Sequence, residues 1–272
     1  MLVFPNAKIN IGLYVIGKRN DGFHDISSVF YPIRLSDALE FVPGKGKDVY
    51  HYSGFPIPGD PADNLCARAL ALVRESHEIP PLDVYLHKAI PMGAGLGGGS
   101  SDAAFLLKAL NDHFKLGYSS AEMKILSAKL GSDCAFFIEN GPAFAEGRGE
   151  LLSPVQLDLS GYHIVVVGPG VHISTQEAYK HVNVGPISFH SVDSLTSRPI
   201  SEWKGNVYNA FEKYAFEKYP QIKSIRDGLY EMGAAYASMT GSGSAVYGIF
   251  AEAPKQELLQ KFEPHFVYSG AL

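Results

Sequence analysis

The 272-residue chain has two cysteines, Cys66 and Cys134, and one tryptophan. Two cysteines build no disulfide framework, and neither stands in the spacing of a zinc site. The ten histidines show no His-Glu-x-x-His pattern, so no protein-bound metal is expected. No apolar run approaches the ~18 residues that span a bilayer. The first residues lack the basic and apolar regions of a signal peptide, and the expected setting is the reducing cytoplasm. Positive charge is also scarce: 23 Lys and Arg against 28 Asp and Glu leave a formal charge of −5. That balance argues against partnership with nucleic acid or with an anionic membrane, since each needs a basic face. What is plentiful is hydrophobic residue, at 46%, enough for a sizeable core. The 28 glycines and 17 prolines predict many turns between short elements. The length suits two domains, and no internal repeat or low-complexity stretch is visible.

Residues 7–15 alternate, with Ala7, Ile9, Ile11, Leu13 and Val15 on one face and Lys8, Asn10, Gly12 and Tyr14 on the other. Period two predicts a strand with one buried face. Asp21-Gly22 supplies a hairpin turn into a second strand through Val29-Phe30-Tyr31. Residues 43–60 read as loops around a short strand. Asp63 is positioned to cap a helix over 64–76. A strand over 82–90 stops at Pro91, and a helix from about Ser101 buries Ala103, Ala104, Leu107 and Leu110. Ser119 and Glu122 have capping-box spacing, opening a helix that runs to Leu130 and closes at Gly131. Asp133 opens a short apolar helix over 134–138. After a loop near 150–160, the second half reads strand 162–167, helix 174–181, polar loop 182–205, helices near 206–218 and 221–232, strands 235–239 and 245–251, helix 254–262 and strand 265–268. The domain boundary is placed at 155, giving domains 1–155 and 156–272.

The most informative stretch is Pro91, Met92, Gly93, Ala94, Gly95, Leu96, Gly97, Gly98, Gly99, Ser100 and Ser101. Five glycines in seven positions are entropically costly to order. Their return is backbone that turns sharply and lets a ligand touch main-chain N–H groups. The loop leads from a strand into a helix N-terminus, where unpaired N–H groups and the helix dipole favour phosphate. A Walker A loop needs a lysine after its last glycine, and Gly99 is followed by Ser100. Gly93, Gly95 and Gly98 fit the dinucleotide spacing, but the loop is not on the first strand and no acidic strand end follows ~20 residues on.

The whole loop, on into Asp102-Ala-Ala104, instead resembles the nucleotide loop of the galactokinase–homoserine kinase–mevalonate kinase–phosphomevalonate kinase superfamily. Pro5-Asn-Ala-Lys-Ile-Asn-Ile-Gly-Leu13 resembles its first motif, and Met239-Thr-Gly-Ser-Gly-Ser-Ala-Val-Tyr247 its third. Asp21-Gly-Phe-His24 and Gly131-Ser-Asp-Cys-Ala-Phe-Phe137 resemble the branch that acts on a cytidine-diphosphate polyol. The resemblance covers almost the whole chain. It implies an α+β fold: a ribosomal-S5-like nucleotide-binding domain, then a ferredoxin-like domain, with the active site in the cleft between them. It implies ATP-dependent phosphorylation, with Mg²⁺, of the 2-hydroxyl of a cytidine-diphosphate methylerythritol, a step of the non-mevalonate route to isoprenoid precursors. A homoserine- or mevalonate-type kinase is the alternative within the superfamily, and a non-catalytic RNA-binding module the alternative outside it.

Individual residues carry two readings each. By position alone Asp133 is a helix cap and Lys8 a solvated strand lysine. The resemblance makes Asp133 the general base for the substrate hydroxyl and Lys8 its electrostatic partner. Asn10, on the face of Lys8, is an ordinary strand residue or orients that hydroxyl. Phe23 is a satellite of the core, or with His24 meets the cytosine ring; Tyr179 is a packing residue or a second aromatic near the base. Ser100 and Ser101 can cap the helix they open and also touch phosphate. Thr240, Gly241 and Ser242 resemble the third motif, and Asn64 is placed near the adenine by analogy.

Overall fold

A computed structural model describes residues 1–60, 63–182, 195 and 198–272. Contacts group the chain into two compact units that interleave along the sequence. The first comprises Met1–Ala7, Leu35–Met92 and Gly97–Gly141; the second comprises Lys8–Arg34, Gly93–Leu96 and Pro142–Leu272.

The first unit is built on strands β1 (Leu2–Val3), β4 (Ala38–Pro43), β6 (Leu82–Lys88) and β5 (Val49–Gly54), in that order across the sheet. β5 and β6 run parallel, so their connection carries a helix, α1 (Leu65–Arg74). Along β6 Leu82, Val84 and Leu86 are buried and Tyr85 is exposed, the alternation of a sheet covered on one face. The unit also holds α2 (Gly98–Phe114), α3 (Ser120–Ala128) and α4 (Cys134–Glu139). The expected stripe of Ala103, Ala104, Leu107 and Leu110 on α2 is fully buried.

The second unit carries two antiparallel sheets. In one, β2 (Asn6–Lys18) and β3 (His24–Ser36) lie side by side, followed by β7 (Ala143–Glu146) and β8 (Leu151–Pro154). In the other the order is β10 (Tyr236–Met239), β11 (Val246–Phe250), β9 (His163–Gly168) and β12 (Phe266–Ala271). Between β9 and β10 come α5 (Thr175–Lys180), α6 (Glu212–Lys218) and α7 (Pro220–Glu231); between β11 and β12 comes α8 (Gln256–Leu259). Counted from β9, that is strand order 4-1-3-2 with helical crossovers, the ferredoxin-like arrangement expected for this part of the chain. Val165, Val167, Ile222, Ile225, Leu229 and Val246 share one core cluster with Leu13 and Val15 of β2.

Several local expectations change. The helix α1 is capped by Asn64, whose side chain accepts from Cys66 N at 2.8 Å, and not by Asp63. The capping box of Ser119 and Glu122 is present, but α3 ends at Ala128 and Gly131 is not in the left-handed region. α2 begins at Gly98, three residues early, because Gly97 takes a left-handed φ of 73° at its N-cap position. The hairpin of β7 and β8 was not expected: β8 falls in the loop placed near 150–160 and β7 lies just before it, both too short to read by alternation. Of the helix near 206–218 only Glu212–Lys218 is helical. The polar loop expected over 182–205 falls largely on residues 183–194 and 196–197, outside the described residues.

Three charged side chains are buried together in the first unit. Lys88 Nζ donates to Asp37 Oδ2 and, at 2.6 Å, to Asp102 Oδ2. Asp37 Oδ1 also accepts from Ala89 N at 2.6 Å and Ile90 N at 2.8 Å. Asp102 Oδ1 has no such support among the described residues. Burial, opposed by Lys88 and reinforced by Asp37, pushes the Asp102 carboxyl up to about 7. A carboxyl raised on folding holds its proton better in the native state than in the unfolded chain. Its stabilising contribution is therefore full below the unfolded value of about 4 and is lost as pH rises through about 7. Thermal unfolding at pH 5.5 and pH 8 checks this. The fall in Tm across that range should be about 2–6 °C larger for the wild type than for Asp102→Asn.

Candidate active site

The strand β2 departs from the half-buried strand that its alternation predicts. Both faces are covered, and Lys8 and Asn10 are only 3% and 2% exposed. A buried ammonium is costly unless paired. Lys8 Nζ donates to Asn10 Oδ1 at 2.6 Å and lies 4.6 Å from the centroid of the Phe30 ring. Asn10 Nδ2 donates to Ser28 Oγ at 3.0 Å, and Ser28 Oγ donates to Gly12 O at 2.6 Å. Lys8 is thus not a solvated strand lysine.

Thr240 closes the same network. Asn10 N donates to Thr240 Oγ1 at 3.1 Å, and that hydroxyl lies 3.3 Å from Asn10 Oδ1 and 3.1 Å from Gly95 O. The two glycine-rich turns therefore meet: Ala245 N donates to Ala94 O at 3.1 Å, and Lys8 N to Leu96 O at 2.9 Å. At Gly95, with φ +80°, an added Cβ would stand 2.1 Å from Thr240 O; at Gly241 it would stand 2.9 Å from Gly95 Cα. Two glycines of the motifs are thus demanded by the approach of one backbone to another.

Within the first unit, Gly97 hands the chain to α2. The first N–H groups of a helix have no partner within it and suit an anion. Ser100, in the first turn, hydrogen-bonds the Cys134 thiol, and Cys134 follows Asp133 at the start of α4. Burial raises that thiol to about 11 and keeps it neutral. Asp133 occupies the N-cap position, yet its side chain makes no capping hydrogen bond. Asn64 spends its side-chain oxygen on the α1 cap.

The aromatic candidates lie in the second unit. His24 and Tyr179 stack on each other, with centroids 4.7 Å apart and planes 17° apart. Tyr179 meets the Phe211 ring edge-on. Phe23 is 53% exposed, with the Arg148 guanidinium 4.8 Å from its ring centroid. Thr175 and Tyr179 are four apart on α5 and share a face. Thr175 Oγ1 lies 3.3 Å from Ser242 Oγ. One face of α5 thus joins the turn at 240–243 to the His24–Tyr179 pair.

Arg148, Thr175 and Asn209 were not legible as site residues. Thr175 alone had a signal, its helical spacing from Tyr179. Among the described residues no group of three or more His, Cys, Asp or Glu is placed to hold a metal ion.

Comparison with known proteins gives this arrangement its class. Residues 64–141 match the model for the N terminal domain of GHMP kinases, and residues 195–266 that for their C terminal domain. A mevalonate kinase structure from Methanococcus jannaschii covers 100% of the chain and is itself covered to 98%, with TM-score 0.73 at 14% identity, a likeness of fold alone. The two domain models together cover more than half of the chain and make it a GHMP kinase. A 4-diphosphocytidyl-2-C-methyl-D-erythritol kinase from Bacteroides fragilis is 47% identical over 100% of both chains, and one from Cytophaga hutchinsonii 48% identical over 94% of both. A crystal structure of 4-(cytidine 5'-diphospho)-2C-methyl-D-erythritol kinase matches with TM-score 0.80 and 30% identity, covering 99% of this chain and 98% of its own. The chain belongs to the 4-diphosphocytidyl-2-C-methyl-D-erythritol kinase family.

The glycine geometry separates two kinds of position. Gly95→Ala puts a methyl into the Thr240 carbonyl at a left-handed φ, and should cost roughly 2–4 kcal/mol in denaturant unfolding. Gly99→Ala would meet only Leu65 Cδ1, at 3.9 Å, and should leave stability unchanged or raise it by up to about 1 kcal/mol.

Proposed function

We propose that the chain transfers the γ-phosphoryl group of ATP to the 2-hydroxyl of 4-diphosphocytidyl-2-C-methyl-D-erythritol, in the non-mevalonate route to isoprenoid precursors. The single observation that carries the site assignment is the burial of Lys8 beside Asn10 and Thr240. A strand lysine with no task stays in water; this one is kept dry, with a fixed partner, next to a glycine turn.

In this reading the turns at 91–101 and 240–242 cradle the ATP phosphates with main-chain N–H groups. Mg²⁺ bound with the nucleotide would offset phosphate charge. Asp133 takes the proton of the 2-hydroxyl as its oxygen bonds to the γ-phosphorus, while the bond from that phosphorus to the β,γ-bridging oxygen breaks and ADP leaves. Lys8 stabilises charge on the transferring group, and Asn10 orients the hydroxyl. Phe23, His24 and Tyr179 hold the cytosine, and Asn64 lies near the adenine. The reaction runs in the cytoplasm. The negative net charge supports a small-molecule acceptor over nucleic acid. No helix of the described residues is long and apolar enough to cross a membrane. Mevalonate- and homoserine-type acceptors are not favoured, because the named relatives that align along the full chain act on the cytidine compound.

Two measurements test the assignment. Asp133→Asn should lower kcat by about 100-fold or more in a coupled ADP-release assay, while Tm moves by no more than about 1–2 °C because Asn keeps the size and an acceptor oxygen of the carboxylate. A large drop in Tm with kcat per folded molecule intact would return Asp133 to a structural role. Phe23→Ala and Tyr179→Ala should each weaken the cytidine substrate by roughly 5- to 150-fold in calorimetry and leave ATP within about 3-fold, the scale of base–aromatic stacking. Equal weakening of both ligands would remove these residues from the base site.

A further inference from the structure

The segment Asn209-Ala-Phe-Glu212 belongs to none of the three motifs, yet it grips the third from behind. Asn209 is 3% exposed. Its amide nitrogen donates to Met239 O and to Gly241 O, each at 2.8 Å, and its Oδ1 accepts from Phe211 N at 2.9 Å. Both N–H groups are used, and they take the carbonyls on either side of Thr240. Three residues on, Glu212 Oε1 accepts from Met239 N and from Ser238 Oγ, each at 2.8 Å. The Arg226 guanidinium stands 3.9 Å from its other oxygen, and burial raises its pKa. Two side chains thus make four hydrogen bonds to residues 238–241, where β10 leaves its sheet.

The same segment is tied to β2. Leu13 N donates to Tyr208 O at 3.0 Å, and Ala210 N to Leu13 O at 2.7 Å. Leu13 lies three residues beyond Asn10, the residue on which the Thr240 hydroxyl rests. The hairpin of β10 and β11 is already closed by its own ladder, down to Met239 opposite Val246. A largely buried carboxylate and a buried amide are costly additions to a turn that is already closed. They fix where the turn sits relative to the strand of Lys8 and Asn10.

We propose that Asn209 and Glu212 are positioning residues for the 240–243 turn, setting ATP affinity and turnover without touching either substrate. The inference rests on the proposed function, in which this turn meets the ATP phosphates. Displacement of a positioned group by about 1 Å can cost about 100-fold in rate, so a slack turn should register in ATP binding and kcat before it registers in the fold.

The test compares Asn209→Asp, Asn209→Ser, Glu212→Gln and Glu212→Ala with the wild type. For folded protein, Kd for MgATP and for the cytidine substrate is measured by calorimetry, and kcat by ADP release. Asn209→Asp keeps the size and the acceptor for Phe211 but loses both donors; it should weaken ATP at least about 10-fold, lower kcat, and leave the cytidine substrate within about 3-fold. Glu212→Ala should behave likewise. Glu212→Gln keeps an acceptor for Met239 N and should stay within about 3-fold of wild type for both ligands. Asn209→Ser, with one donor and the turn acceptor, should fall between Asn209→Asp and wild type, and carries the comparison if Asn209→Asp does not fold. Equal weakening of both ligands, unchanged ATP affinity in folded Asn209→Asp, or Glu212→Gln as weak as Glu212→Ala would each overturn the proposal. A wild type that binds no ATP would overturn the kinase reading first, and is seen in the control titration.

Discussion

A charge and an amide buried on one strand set the terms for the second unit. Lys8 and Asn10 lie out of water on β2, and each buried polar group must find a partner or cost several kcal/mol. The partners come from far along the chain. Ser28 is 18 residues from Asn10 and Thr240 is 230 residues from it. Thr240 can reach Asn10 only if the turn that carries it lies flush against the turn that carries Gly95. At that contact a side chain on either glycine would collide with backbone. The polar strand, the two glycines and the threonine are one arrangement, and changing any of them strands the others.

The glycine-rich loop therefore answers two demands. Gly95 and Gly241 are fixed by the protein's own packing. Gly97 starts α2 in the left-handed region, and the first N–H groups of that helix have no partner within it. Packing of the protein against itself thus accounts for part of the glycine count. The aromatic residues follow a similar logic. His24 and Tyr179 are brought into contact by a hairpin and a helix, and the helix face that presents Tyr179 also places Thr175 against Ser242.

In the first unit the organising charge is Lys88, shared between Asp37 and Asp102. Two carboxylates around one ammonium leave a surplus of negative charge in a dry place, and burial presses Asp102 toward its protonated form. The cluster spans the end of β6 and the first turns of α2, the two elements joined by the glycine-rich loop. Asp133 sits where a cap would sit, and its side chain makes no capping hydrogen bond.

Periodicity and local chemistry determined much of this protein. The strands β2, β6, β9, β10 and β11, the stripe of α2, the capping box of α3 and the motifs that place the chain in its family are written in neighbouring residues, because helices, strands and turns answer to spacings of two to four. The short strands β7 and β8 escaped that reading, being too brief to alternate. The cap passed from Asp63 to Asn64 because one residue of register is below what spacing resolves. The burial of Lys8, the Asn209 grip on Met239 and Gly241, the Lys88 cluster and the His24–Tyr179 stack were decided only by the tertiary structure. The last three join residues from 14 to 155 positions apart, and a desolvated hydrogen bond leaves no periodic trace in either of the segments that share it.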